Sequence, residues 1–306
     1  PFWAIAFVFG HNAMWWYRLY LSFSQFSIVG TTVHYPEKLP KDLVADEHHI
    51  RIRGKKAYVA TTVGANCFLG MQASYQADES ALAQSYGVFK TEALDLQRDY
   101  EPSSVNTDGW QATQNTWKNL FPSIVVMECF LHAFLKVRDR ATKKLQDFFN
   151  TAADKIWDCY EATNKRSLAQ LIRRLAEWAD NQVPDCPMRD NILKLCKKKK
   201  RWMLHFDHPL AHRTSNMVDR LMRAMKKHAF NSQMFHGKTI ETTSKNFRAF
   251  ALLNNFTPLC PTALKDNDEL YSPAARLNGF VYHENWLQNL LIAASLDGFR
   301  NHRNPL

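Results

Sequence analysis

The chain has 306 residues, 46% of them hydrophobic and 22% charged, which excludes a disordered chain and suits one large domain with an insertion or two ordinary domains. A formal net charge of +10 and a pI of about 9.3 direct attention to polyanionic partners, meaning nucleic acid or an anionic membrane surface. Six cysteines without a CxxC pair exclude a disulfide framework and point to a reduced, intracellular compartment. The apolar opening run, Phe2 to Phe9, is too short to span a membrane and has no basic residues ahead of it, so a soluble protein is expected. The chain starts at Pro1 rather than methionine, as a fragment would.

Residues 1–40 form a helical segment rich in aromatics, with Trp15-Trp16-Tyr17 in a helix-like pattern and Ser27 to Val33 as the turn and start of another helix. A truncated DNA-binding helix-turn-helix fits this segment, and so does a helical pair packed on the core, since no basic recognition face is evident. Leu43 to Asp46 reads as a strand that ends or pauses at an acid, with Ile50 to Arg53 extended beyond it. Gly54-Lys55-Lys56 turns the chain into a second strand, Ala57 to Val63, and Cys67 to Ala73 is a third. Asp78-Glu79 opens a helix to about Leu96, with acids at the end the helix dipole favours. A short apolar approach then reaches Asn106-Thr107-Asp108-Gly109, followed by a helix from Gln111 to Leu120 and a strand over Ile124 to Met127. This β-β-β-α-β-α-β order predicts an α/β fold, a mixed five-stranded sheet flanked by helices.

Beyond that point the pattern is helical. One helix is expected over Cys129 to Phe149, a second over Asp154 to Tyr160, and an amphipathic third over Ser167 to Asn181. A fourth, Arg189 to Leu204, carries the run Lys197, Lys198, Lys199, Lys200, Arg201. A helix follows Arg213-Thr214-Ser215-Asn216, with Ser215 or Asn216 as its cap and Asp219 near its first turn. After a loop around Asn231 to Gly237 come helices over Ser244 to Leu253, from Ser272-Pro273, and over Glu284 to Leu296.

Three acids stand out by position: Asp46 on the first strand, Asp108 after the fourth, and Asp219 on a late helix. The first and fourth strands of a mixed sheet can be neighbours, and carboxylates converging at one edge need cations between them. Mg²⁺ suits such hard oxygen ligands, and two ions roughly 3.5–4 Å apart would serve a phosphodiester displacement.

Here the sequence resembles the DDE-type transposases with an RNase H-like core, closest to the Mutator-like and related bacterial insertion-sequence transposases. The residues that carry the resemblance are Ala45-Asp46-Glu47, Asn106-Thr107-Asp108-Gly109, Cys129-Phe130-Leu131-His132, and Arg213-Thr214-Ser215-Asn216-Met217-Val218-Asp219-Arg220. They span roughly residues 40–255 and include a helical insertion ahead of the last motif. The third acid is usually glutamate in that group, whereas here it is Asp219.

The resemblance implies an RNase H-like core in two parts, 41–150 and 206–255, a helical insertion over 151–205, and a helical C-terminal region over 256–306. It implies cleavage of transposon ends and strand transfer to target DNA, with Mg²⁺ or Mn²⁺, two ions per site, held by Asp46, Asp108 and Asp219. It further implies a homo-oligomer that synapses two ends, in a bacterial cytoplasm beside the nucleoid and away from membranes. Arg213, Asn216, Arg220 and Arg223 are candidates for orienting Asp219 or touching phosphate, and Lys197 to Lys200 for contacting the DNA backbone.

The residues also admit other readings. Asp108-Gly109 is also an ordinary turn, Glu47 competes with Asp46, and Asp219 has Arg223 at i+4. Cys129 and His132 have the spacing of half a zinc site but pack equally well at a helix start. A catalytically decayed DNA-binding derivative and an RNase H-like nuclease without strand transfer are the competing functions.

Overall fold

The computed structural model describes residues 1–231, 238–264 and 269–296. In chain order it contains α1 (Phe2–Phe9), α2 (Ala13–Ser22), α3 (Ile28–Thr32), β1 (Asp42–Ile52), β2 (Lys55–Gly64), β3 (Cys67–Ser74), α4 (Glu79–Leu96), β4 (Ser104–Thr107), α5 (Gln111–Leu120) and β5 (Val125–Glu128). There follow α6 (Phe130–Arg138), α7 (Gln146–Glu161), α8 (Lys165–Gln182), α9 (Pro187–Lys197), α10 (Lys199–Asp207), α11 (Asn216–Asn231), α12 (Ile240–Phe256), α13 (Pro261–Leu264), α14 (Pro273–Asn278) and α15 (Trp286–Leu296). The strands form one mixed sheet of order β3-β2-β1-β4-β5, the order of an RNase H-like fold. No helix among the described residues is long and apolar enough to cross a membrane.

The chain divides into two compact units. The first comprises residues 1–103, 110–124 and 216–306. Its β1, β2 and β3 pair antiparallel, with a register shift at Thr62/Val63. β3 is an edge strand, and an open edge needs its peptide groups covered. Buried Asn255 on α12 does this: its side chain accepts from Phe68 N at 2.8 Å and donates to Phe68 O at 2.7 Å. Ser244, about three turns earlier on the same helix, accepts from Ala73 N at 3.1 Å. Val44, Val59, Phe68, Met71, Phe250 and Val218 belong to the core of this unit.

The second unit comprises residues 104–109 and 125–215. β4 and β5 pair in parallel, with Thr107 opposite Glu128. α6 to α10 share a core of Phe130, Ile156, Leu168, Ile172, Leu195 and Trp202. The amphipathic stripe of α8 drives this packing: Leu168, Ile172, Leu175 and Ala179 are buried, and Asn164 caps the helix by accepting from Ser167 N at 2.8 Å.

Several element boundaries differ from the sequence expectation. The helix read over Cys129 to Phe149 is two, ending at Arg138 and resuming at Gln146 as a longer α7 that absorbs the one read over Asp154 to Tyr160. Between them lies a charged stretch, Arg138 to Asp147, that supplies no continuous apolar stripe to bury. The helix read over Arg189 to Leu204 breaks at Lys198, whose backbone (φ −83°, ψ 13°) separates α9 from α10. β1 runs unbroken through Asp46 to Ile52, because β2 pairs with it along the whole length. The loop read around Asn231 to Gly237 lies almost wholly outside the described residues.

Candidate active site

Asp46 and Glu47 stand next to each other on β1, and strand alternation sends them to opposite faces. Glu47 is buried, and its Oε1 accepts from Tyr86 and Thr113 hydroxyls, both at 2.7 Å. That assigns Glu47 to the packing of β1 against α4 and α5. Asp46 is only half-buried, and its Oδ1 accepts from Glu47 N at 2.9 Å.

Asp108 follows β4 directly and is half-buried. The strand behind it is fixed inside the second unit: the fully buried Asn106 donates to His212 O at 2.7 Å, and Cys129 N donates to Thr107 O at 2.7 Å. Gly109 has φ +91°, a left-handed conformation that favours glycine. It also faces Glu128: a Cβ at this position would lie 2.7 Å from Glu128 Oε1.

Glu128 is the residue that sequence reading passed over. It ends β5, its side chain is 3% exposed, and it carries two cations. Lys198 Nζ donates to its Oε1, and Arg201 Nη1 donates to its Oε2 at 2.8 Å. A carboxylate at 3% exposure is expected to be paired, and here both oxygens are. The signal was present: an acid closes the apolar run Ile124 to Met127 just as Asp108 closes β4, but no glycine follows it. Lys198 is therefore half-buried in an ion pair, not a freely solvated member of the lysine run.

Cys129 and His132 meet through Ser215. Ser215 N donates to Cys129 Sγ at 3.2 Å, Cys129 Sγ donates to Ser215 Oγ at 3.3 Å, and Ser215 Oγ lies 3.4 Å from His132 Nδ1. Burial on its own would raise the Cys129 thiol, but the hydrogen bonds to His132 and Ser215 outweigh it and hold the thiol below its ordinary value. Phe130 N donates to Arg213 O at 3.0 Å, so the loop ahead of α11 is tied to the start of α6.

Asp219 lies in the first turn of α11, half-buried, on a helix whose Met217, Val218, Met222 and Met225 enter the core of the first unit. Arg220 is exposed and donates to Asn66 Oδ1 at 3.0 Å; Asn216, the first residue of α11, is exposed, as is Arg223. Arg213 stacks on the Tyr160 ring, with the guanidinium carbon 4.1 Å from its centroid. Burial lowers the Arg213 pKa from its ordinary value.

The acids singled out by the sequence offer only carboxylate oxygens, the donor type that Mg²⁺ and Mn²⁺ favour. Among the described residues, no three His, Cys, Asp or Glu side chains are grouped so as to hold a metal ion.

No family model matches the chain, and no curated protein matches it. Among solved structures, the catalytic core domain of HTLV-2 integrase in complex with magnesium (trimeric form) aligns at 14% identity with a TM-score of 0.22, over 52% of this chain and 85% of that one.

Proposed function

We propose that this chain is a metal-dependent transposase of the DDE type, similar to the Mutator-like and bacterial insertion-sequence enzymes, that cuts DNA at transposon ends and joins them to a target. The observation that carries the reading is the strand order β3-β2-β1-β4-β5, in which the strand bearing Asp46 and the strand that Asp108 terminates are neighbours. Asp46 and Asp108 hold Mg²⁺ or Mn²⁺ in this reading, and Asp219 completes the second site. Mg²⁺ is commonly held by only one or two carboxylates, with waters and substrate phosphates filling its octahedron, so a three-carboxylate cage is not required. When bound, such a pair of ions activates the attacking oxygen and stabilises the leaving one.

The chain's own residues have defined parts to play. Asp46 sits on paired strand backbone, Asp108 directly follows the last paired residue of β4, and Gly109 leaves the space beside Asp108 to Glu128. The substrate is DNA, the working form a homo-oligomer that brings two ends together, and the compartment a bacterial cytoplasm beside the nucleoid.

The test is cleavage and joining by the full chain with Mg²⁺ or Mn²⁺ and DNA carrying the element's own ends. Wild type gives a target-joined 3′ end, and Asp108→Ala gives none. Full strand transfer by Asp108→Ala contradicts the assignment, and cleavage without joined product leaves a nuclease. A second reading, a decayed derivative that binds DNA without cutting it, is favoured by the shorter Asp219 where glutamate is usual. It predicts salt-dependent DNA binding and no metal-dependent product in any variant.

A further inference from the structure

A cavity of about 920 Å³ opens on the second unit, lined by Lys136 of α6, Lys194 of α9 and the run from Lys197 to Arg201. Its other lining residues are Ala133, Asn191, Leu195 and Cys196, so it contains seven cations and no acid. Lys198 and Arg201 are compensated by Glu128. Lys136, Lys194, Lys197, Lys199 and Lys200 are exposed and have no ion-pair partner among the described residues. Five like charges gathered in one concave surface repel one another, and the arrangement becomes favourable when a polyanion fills it.

Glu128 gives this groove its position. The carboxylate is buried at the end of β5, against the turn that carries Asp108 and Gly109, and it draws Lys198 and Arg201 to that strand end. Lys198 is also where the helix breaks, so the residue that anchors one end of the groove lies at the junction of α9 and α10. The remaining lysines extend from there along α9, α10 and α6.

We infer that this groove binds the phosphate backbone of duplex DNA, with Glu128 as the positioning residue that fixes it beside Asp108. The apolar lining residues Ala133, Leu195 and Cys196 are buried at 8%, 2% and 8% exposure, so the groove presents charge and no apolar anchor of the kind a membrane-surface helix inserts. The inference rests on the nucleic-acid part of the reading above and is independent of cleavage.

The experiment is equilibrium binding of the full chain to duplex DNA by fluorescence anisotropy, across a salt series, without metal. Its competitors are inorganic tripolyphosphate and vesicles containing anionic phospholipid. In the triple variant Lys194→Ala/Lys197→Ala/Lys200→Ala, the slope of log K against log salt is expected to become shallower by about 2–3, with affinity about 10–100-fold weaker near 0.1 M salt. The matching Lys→Arg triple restores both, which separates charge from a folding defect. Binding is read without metal and cleavage is read separately, so wild-type protein that binds with the expected slope yet gives no metal-dependent product overturns the catalytic reading while the groove stands. An unchanged slope and affinity in a folded alanine triple overturns the inference. Preferential binding of tripolyphosphate or of the vesicles, lost in the alanine triple while duplex binding persists, also overturns it.

Discussion

The two units each bury a glutamate against an arginine, and they do so in different ways. In the first, Glu92 accepts from Ser27 Oγ at 2.9 Å, Val29 N at 3.1 Å and Arg248 Nη2 at 2.5 Å, and Arg248 also donates to Phe26 O at 3.0 Å. Both side chains are nearly sealed, at 5% and 10% exposure. In the second, Glu128 is sealed at 3% but its partners Lys198 and Arg201 stay 36% and 48% exposed. The closed pair ties the N-terminal segment to α4 and α12. The half-open one fixes the inner ends of two cations while leaving them in reach of solvent or a ligand. Residue types alone do not distinguish a structural lock from a counter-ion; the exposure of the cations does.

The largest effect should come from breaking the closed pair. Arg248→Ala leaves Glu92 buried without its cation and is expected to cost about 3–5 kcal/mol in urea or thermal unfolding. Gly109→Ala in the second unit should cost about 2 kcal/mol, from the left-handed backbone and the contact with Glu128 together. Adding Glu128→Ala should recover part of that loss, and strict additivity of the two would deny the contact. Glu128→Ala alone is expected to cost only about 1 kcal/mol, since both freed cations can turn to water. Equal losses for Arg248→Ala and Glu128→Ala would erase the distinction between the two sites.

The smallest effect is a pH dependence. The Cys129 thiol is held below its ordinary value of 9.0, so the native state releases that proton before the unfolded one does. The associated stability is fully present above pH 9 and is lost as pH falls through the lowered native value. The difference in melting temperature between wild type and Cys129→Ala should therefore grow as pH rises toward 9. Burial pushes Cys159 and Cys196 the other way, up to about 12, so their contribution is present below pH 9 and declines above it. A Cys129→Ala difference that shrinks with rising pH would contradict the His132 and Ser215 contacts.

What could be read from the sequence was whatever local chemistry decides. Asp78 caps α4, and Ser272 with Pro273 starts α14, because cap and proline act within one turn. The five strands followed from apolar runs and turns. The breaks at Arg138 and at Lys198 contain no proline or glycine, and the second coincides with a salt bridge across 70 residues of chain. Strand alternation showed that only one of Asp46 and Glu47 could face a site. That Glu47 is the one packed inward depends on Tyr86 and Thr113, which α4 and α5 supply from 39 and 66 residues away. Glu128 was missed because a carboxylate at a strand end gains meaning only from what pairs with it.

In the proposed function Asp46, Asp108 and Asp219 hold the metal ions for chemistry on DNA. The decisive measurement is Mn²⁺ binding to the full chain, followed by electron paramagnetic resonance in the presence of a DNA end. About two ions per chain are expected for wild type, with at least one lost or much weakened in each of Asp46→Asn and Asp108→Asn. Wild-type stoichiometry and affinity in both variants would contradict it.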